Sequence, residues 1–384
     1  MRTVSEGRGW TRSFVFLVAL ALVAVACGGD AQQGDGGEGG GAPGPGDLSE
    51  YSARVEREKQ ETVDTSEWQA ESPYTVGFTS QGTFNGFGLM LDAAFRWAAE
   101  ESDQVAEVVG TNGDGDPNKQ IAAMEDMIQS GVDIIVIQPL GQAALSAPVD
   151  RAIEAGIPVV TCLDSVESDS YVSRVDVDLY AIAYEVTRAM AEDMGGQGKA
   201  VIFSGIAGVD AAEIWKTAAT DALSQFPDIE IVATEFSDWS VANAKSLMTQ
   251  VLSREGDIDG FFAGGAENAI GAIQAVEEAD AKMPVFGVTN PLNGFLRLAI
   301  DHDIEFTAAP DPPGTSPLCL ETALKVLNGE PVQKFVDIAA EVEGAGIFDE
   351  SEAEDRFDEQ YNDEYTFPTL LPHEELLAAG FGRA

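Results

Sequence analysis

The residues best suited to hold a small molecule are aromatics, amides and carboxylates that follow short apolar runs of the sequence. Aromatic faces stack on the C–H faces of a polyol, while amides and carboxylates form hydrogen bonds with its hydroxyl groups. Taken singly, each residue has a simpler explanation, because a carboxylate can cap a helix and a ring can belong to the core. Their shared position predicts a binding site for a small polar ligand, formed by Phe84, Asn85, Phe87, Gln138, Asp164, Asp210, Trp215, Glu267, Asn290 and Asp311.

Residues for covalent or metal-assisted chemistry are scarce. The sequence contains neither a G-x-S-x-G nucleophile motif nor a G-x-x-x-x-G-K-[ST] phosphate loop. Its only histidines, His302 and His373, lie away from the ends of the apolar runs, so we expect no histidine-based triad and no metal site. We therefore expect a binding protein without cofactor or metal. A carbohydrate-active enzyme that relies on carboxylates alone remains the alternative.

From Tyr74 onward, β-branched apolar runs alternate with amphipathic stretches, and these elements must position the candidate residues. Several runs are apolar on both faces, as strands covered by helices on both sides must be. The alternation predicts an α/β fold of doubly wound parallel sheets, and the number of strands favours two sheets over one. Ligands bind beyond the carboxyl ends of such strands. The predicted strands are 74–79, 105–110, 132–138, 157–163, 199–205, 229–235, 258–264, 283–289 and 304–310.

The N-terminal stretch has the order of charges and small residues that is typical of an export signal. Arginines precede an apolar run, and the run ends in small residues before Cys27. We expect a signal peptide over 1–26. The position of Cys27 resembles the lipobox of bacterial lipoproteins, which implies a lipidated Cys27 and, with a flexible linker over 27–73, a tether to the outer face of the cell membrane. Ala24 and Ala26 would also suit an ordinary signal peptidase, which leaves an unmodified Cys27 as the alternative.

The charge balance excludes some classes of partner. The chain of 384 residues has 66 acidic and 21 basic side chains, and its formal net charge is −45. A surface this acidic repels nucleic acid and anionic lipid headgroups. We therefore expect no nucleic-acid partner, and we interpret the charge as a solvated acidic surface.

Several stretches resemble the type I periplasmic solute-binding proteins of the ribose-binding kind. They are DPNKQIAAMEDMIQSGVDIIVIQP, AIEAGIPVVT, GIAGVDA, DWSVANAKSLMTQVL and ETALKVLNGEPV, in unbroken order. The resemblance implies two parallel-sheet lobes joined by a three-segment hinge. The first lobe would hold 74–176 plus 311–337, and the second 177–310 plus 338–384 with an acidic tail. It also implies a monomer that delivers a small solute to the permease of an ABC importer. A ligand-sensing receptor subunit with the same body remains open.

The resemblance carries over unevenly to the ligand positions. Phe87 matches a stacking aromatic and Asp164 matches a carboxylate that binds ring hydroxyls. Asp210 fits better with the branch that binds autoinducer-2 or rhamnose-like sugars. Ser165 and Trp215 stand where ribose binders have arginines. These departures imply a neutral or weakly cationic ligand that is smaller or more apolar than ribose, because the remaining carboxylates would otherwise lie unpaired once the lobes close.

The two remaining cysteines would both fall in the first lobe under this resemblance. Cys162 would end a strand, and Cys319 would lie on the helix after the second hinge crossing. In an exported protein such a pair can form a disulfide. Two buried free thiols are the alternative.

Overall fold

A computed structural model of the protein describes residues 48–383. The predicted signal peptide, Cys27 and the first part of the predicted linker lie outside the described residues. No helix within 48–383 is both long enough and apolar enough to cross a lipid bilayer.

The elements are labelled in chain order. The helices are α1 Leu48–Glu58, α2 Gly86–Glu101, α3 Pro117–Ser130, α4 Gln142–Glu154, α5 Leu179–Asp193, α6 Asp210–Leu223, α7 Val241–Glu255, α8 Ala266–Ala279, α9 Asn293–His302, α10 Pro317–Leu327, α11 Ile338–Glu341, α12 Ala353–Arg356 and α13 His373–Ala378. The strands are β1 Thr62–Val63, β2 Tyr74–Thr79, β3 Val105–Val109, β4 Ile134–Ile137, β5 Val159–Cys162, β6 Ser173–Asp176, β7 Gln197–Ser204, β8 Asp228–Phe236, β9 Gly260–Gly264, β10 Val285–Thr289, β11 Phe306–Ala309, β12 Val332–Gln333, β13 Phe335–Asp337 and β14 Phe348–Asp349.

Two six-stranded sheets form the two lobes. The first has the order β13-β6-β5-β4-β2-β3 and is parallel throughout. The second has the order β14-β11-β10-β9-β7-β8 and is parallel except for β14. This architecture confirms the predicted pair of doubly wound lobes. The chain crosses between them after β6, after β11 and after β13.

Local sequence accounts for the individual elements. All four residues of β4 are buried, because helices cover both faces of the sheet. Helix α3 begins where Asp116 accepts a hydrogen bond from the N–H of Asn118 at 2.9 Å, with Pro117 in the first turn. It ends at Gly131, whose φ of 70° is left-handed. Such signals determine where a helix begins and ends.

The segment 48–73 was predicted to be flexible linker, and the structure contradicts this. Helix α1 packs Val55 into the protein with no exposed surface, and β1 pairs with β12 of the first lobe. The Arg54 guanidinium donates to Ser165 Oγ at 2.7 Å and to the carbonyl of Val166 at 2.8 Å. The segment therefore supports the loop that follows β5. A charged sequence hid this role, because its contacts are with residues more than a hundred positions away.

The C-terminal tail after α11 lies on the second lobe. The Asn293 side chain donates to the carbonyl of Asp358 at 2.9 Å, and the N–H of Asn293 donates to the carbonyl of Tyr365 at 2.9 Å. The tail also reaches the first lobe, where the N–H of Leu370 donates to the carbonyl of Gly314 at 2.9 Å. It therefore contacts both lobes beside the cleft.

Candidate functional site

A cavity of ≈ 80 Å³ lies where the carboxyl ends of strands from the two sheets face each other. A single buried water needs about 10–15 Å³, so this cavity has room for more than one water molecule and can admit a small polar ligand. Its lining comes from both lobes and from the second hinge crossing: Gln81, Asn85, Phe87, Gln138, Leu163, Asp164, Val209, Ala211, Trp215, Trp239, Gly265, Glu267, Asn290 and Asp311.

The structure brings most of the predicted site residues together at this cavity, namely Asn85, Phe87, Gln138, Asp164, Trp215, Glu267, Asn290 and Asp311. Two predicted residues lie outside its lining. Phe84 is 62% exposed on the surface loop before α2. The carboxylate of Asp210 accepts a hydrogen bond from the N–H of Gln142 at 2.8 Å. Because Gln142 begins α4 of the first lobe and Asp210 begins α6 of the second, this bond joins the lobes directly.

Amide side chains hold the wall contributed by the first lobe. Gln81 Nε2 donates to Asp164 Oδ2 at 3.2 Å, and the N–H of Ser165 donates to Asp164 Oδ1 at 2.8 Å. The N–H of Gln81 donates to Gln138 Oε1 at 3.3 Å. Gln120 Nε2 in turn donates to the carbonyl of Gln138 at 2.7 Å. The orientation of the Asp164 carboxylate is therefore fixed before any ligand arrives.

A disulfide between Cys162 and Cys319 restrains the cavity wall contributed by the first lobe. Their Cα atoms are 5.7 Å apart, and the bond joins the last residue of β5 to helix α10. Leu163 follows directly with a φ of 53°, a left-handed value that non-glycine residues rarely adopt. Backbone strain of this kind concentrates at binding sites, and here it directs the chain to Asp164.

Two indole rings form the wall contributed by the second lobe. Trp215 and Trp239 meet edge to face with ring centroids 6.4 Å apart. Trp239 Nε1 donates to the carbonyl of Gly264 at 3.0 Å. The Trp239 ring leaves no room for side chains beneath it, since a Cβ at Gly205 would lie 2.0 Å from the ring and a Cβ at Gly265 would lie 2.7 Å from it.

Trp239 is the main residue that sequence reasoning missed. It lies directly after β8, at a strand end of the second lobe. Asp238 and Trp239 have left-handed φ values of 60° and 48°, which mark a sharp turn. An Asp-Trp pair directly after a predicted strand was the available signal.

Two polar atoms on this cavity wall have no hydrogen-bond partner among residues 48–383. They are Trp215 Nε1, a donor, and Asp311 Oδ1, an acceptor. Their residues are only 3% and 5% exposed. An unpaired buried polar atom costs about 1–3 kcal/mol. A hydroxyl-bearing ligand that reached these two side chains would give each atom a partner.

Burial raises the pKa of three carboxyl groups of the cavity. Desolvation, and then the charge of Asp210, raises the pKa of Asp164 well above its usual range. Desolvation, followed by the charge of Asp176, does the same to the pKa of Asp311. Burial and then the charge of Glu364 raise the pKa of Glu267 to about 7.

The nearest buried cation, Arg174, is engaged through Nε and Nη2, while its Nη1 has no hydrogen-bond partner among residues 48–383. Arg174, 1% exposed, forms an ion pair with Asp176 at 2.6 Å and donates to the hydroxyl of Tyr51 at 2.8 Å. It does not line the cavity. Within 48–383 no group of His, Cys, Asp and Glu side chains is arranged to hold a metal ion.

Comparison with known proteins agrees with this geometry. The sequence profile described as "Periplasmic binding protein domain" matches residues 76–331. The ribose import binding protein of Bacillus subtilis (strain 168) is 25% identical over 270 residues, which cover 70% of this chain and 87% of that protein. The xylitol-binding protein of Mycolicibacterium smegmatis is 29% identical over 185 residues, or 47% of this chain and 53% of that protein.

A solved structure of a solute-binding protein is similar in fold to this chain. An ABC transporter solute-binding protein from Mycobacterium smegmatis with bound glycerol has a TM-score of 0.65 and 28% identity, over 77% of this chain and 99% of that one. The profile match spans strands of both sheets, and the cavity lies at the carboxyl ends of those strands. This chain belongs to the type I periplasmic binding protein family.

Proposed function

We propose that this protein is an extracytoplasmic solute-binding protein that captures a small sugar or polyol between its lobes and delivers it to an ABC importer. The observation that carries the proposal is a cavity between the lobes, two of whose lining residues, Trp215 and Asp311, each carry a buried polar atom without a partner among residues 48–383. Within these residues, Trp215 Nε1 lacks an acceptor, and Asp311 Oδ1 lacks a donor. A hydroxyl group can serve as either.

The two walls divide the recognition of such a ligand. Gln81, Gln138 and Asp164 offer amide and carboxyl groups to its hydroxyls. Trp215 and Trp239 offer apolar ring surface to its C–H groups. The relatives with bound glycerol, and those named for ribose and xylitol, support this class of ligand.

Delivery depends on a hinge equilibrium. A ligand that contacts both walls stabilises the form in which the lobes touch, in proportion to its preference for that form. The Asp210–Gln142 bond between the lobes belongs to this form, because it exists only where α6 and α4 are adjacent. The importer would recognise the liganded, closed arrangement.

The location and the absence of catalysis are part of the proposal. The export signal supports a position outside the cytoplasm, and acylation of Cys27 would hold the protein at the membrane surface as a monomer. The family is one of binding proteins, and the cavity presents carboxyl groups without a nucleophile or histidine among its lining residues. Labelling cells with a radioactive fatty acid, in parallel with Cys27→Ser, tests the anchor.

Calorimetry with a panel of glycerol, xylitol and ribose tests the binding function. Trp215→Ala and Asp164→Ala should each weaken binding of the best ligand at least tenfold, or about 1.4 kcal/mol. Phe84→Ala is the matched control, since this exposed aromatic lies outside the cavity. Unchanged affinity in both cavity variants would remove the proposed site. A ligand should also raise the melting temperature, because it binds the folded state alone.

A further inference from the structure

The cavity combines an excess of carboxyl groups with a lack of cations. Asp164, Glu267 and Asp311 line it, and its lining includes no Lys, Arg or His among the described residues. Asp210 lies near enough to raise the pKa of Asp164. A neutral sugar leaves these buried groups with no charge to balance them.

Arg174 offsets only part of this excess. Its guanidinium is bonded to Asp176 and to the hydroxyl of Tyr51, behind the cavity wall. It acts on Asp164 and Asp311 at a distance and lowers their pKa less than burial raises it. The protein therefore supplies one cation for a larger group of acids. A ligand can supply the next.

The unpartnered atoms identify where that charge would be placed. Asp311 Oδ1 is a buried acceptor and so needs a donor. An ammonium group carries three donors and a positive charge, so it satisfies Asp311 and compensates the neighbouring acids at once. Trp215 Nε1 needs an acceptor, which an ammonium cannot provide and a hydroxyl can. The ligand that meets both demands carries both groups.

The remaining wall suits the same ligand. Indole faces attract cations as well as C–H groups, and two indoles line the cavity. The volume of ≈ 80 Å³ favours a small ligand. We propose that the ligand is a small amino polyol, with a protonated amine held by Asp311 and the neighbouring carboxylates and a hydroxyl held by Trp215. This inference rests on the proposed solute-binding function.

The competing state is a set of protonated acids around a neutral polyol, and proton exchange separates the two. An ammonium favours ionised carboxylates, so its binding releases protons from groups such as Glu267, whose pKa in the empty site is about 7. A neutral polyol leaves the protons in place. The charged groups that face these acids from the surrounding elements are Glu167, Arg174, Asp176, Asp210, Glu213 and Glu364.

The experiment is calorimetry at pH 7 with three matched sets of probes. Glycerol is paired with 3-amino-1,2-propanediol, erythritol with 1-amino-1-deoxyerythritol, and xylitol with 1-amino-1-deoxyxylitol, each amine also as its neutral N-acetyl derivative. We expect one amine to bind at least tenfold more tightly than its parent polyol and its N-acetyl form. Titration in two buffers of different ionisation enthalpy should show release of protons. Asp311→Asn should lower the ratio of affinities for the amine and its parent polyol at least tenfold, while Phe84→Ala should leave this ratio unchanged.

Each other outcome overturns the inference in a distinguishable way. If a parent polyol binds as tightly as its amine, the ligand is neutral, and the proposed solute-binding function stands. If no probe in any set binds, the amino-polyol class is wrong and the polyol-binding function loses its support as well. If Asp311→Asn has a melting temperature close to that of the unmodified protein and keeps the preference, the amine is not held at Asp311. Should that variant fail to fold, Glu267→Gln replaces it, with loss of proton release as the expected result.

Discussion

The two lobes share one sheet architecture but differ in the groups that dominate their sides of the cleft, although Phe87 adds a ring to the first side and Glu267 a carboxyl group to the second. The first lobe and the hinge crossing contribute amides and carboxyls such as Gln81, Asp164 and Asp311, whereas the second contributes Trp215 and Trp239 over a glycine-lined floor. Hydrogen-bonding groups need fixed directions, while a ring accepts many positions of the same C–H surface. The first wall therefore sets which hydroxyl or amine fits, and the second wall sets how tightly it is covered.

The lobes are also braced differently, and the difference follows their chemistry. The first lobe holds its polar wall with the Cys162–Cys319 bridge and with Arg54 from α1. The second lobe carries the C-terminal tail, whose Phe348 and Phe367 join its core. Directional contacts gain from covalent restraint, whereas an apolar wall depends mainly on packing.

The largest expected effect is loss of the bridge, which would break the rigid first wall. The disulfide closes a chain separation of 157 residues, so the chain-entropy model gives up to about 5 kcal/mol of stability. Thiol counting on unfolded, unreduced protein should find no free thiol at Cys162 or Cys319. Denaturant unfolding should show the loss on reduction. The double variant Cys162→Ala and Cys319→Ala serves as control, since reducing agent should not affect it further.

The second largest effect is expected from a substitution that displaces Trp239 in the wall contributed by the second lobe. In Gly205→Ala the new Cβ would fall 2.0 Å from the Trp239 ring, so the indole must move. Overpacking of this kind costs about 1–3 kcal/mol. We expect ligand affinity to fall at least tenfold and Trp239 fluorescence to shift. The control is Gly346→Ala, where no atom lies within 4 Å of the added Cβ and φ is not left-handed. Equal affinity for both variants would refute the role of Trp239.

A smaller effect is expected when the hydrogen bond between the lobes is weakened and the cavity walls are left unchanged. Asp210→Asn replaces the charged acceptor of the Gln142 N–H with a neutral amide oxygen. One such bond contributes about 0.5–1.5 kcal/mol. We expect a two- to tenfold loss of affinity with an unchanged order of preference among ligands. Small-angle scattering should show a more open empty protein. A changed order of preference would instead return Asp210 to the ligand contacts.

The smallest expected effect is a pH dependence of the empty protein. The pKa of Glu267 is raised from 4.5 to about 7. An acid with a raised folded pKa contributes stability below its unfolded pKa, and this contribution is lost as the pH rises through about 7. The empty protein should therefore melt at a higher temperature at pH 5.5 than at pH 7.5. Glu267→Gln should reduce that difference, and an unreduced difference would mean that Glu267 is not the group responsible.

The sequence predicted the sheets well because burial on both faces leaves a clear apolar pattern. The four buried residues of β4 are one example, and the capping signals around α3 are another. The positions that follow the predicted strands in turn identified most of the cavity residues that were predicted from the sequence. The exceptions, Phe84 and Asp210, have the right residue types at strand ends, but the loop or the opposite lobe determines where they point.

The sequence by itself determined the alternation of strands and helices, the acidic surface and the supply of aromatic and carboxyl groups at the strand ends. Each of these follows from local pattern or composition. Only the tertiary structure decided that 48–73 supports the first lobe, that Trp239 covers Gly205, and that Asp210 bonds to Gln142. Those contacts join residues far apart in the chain, and their energy depends on a distance that no local pattern contains.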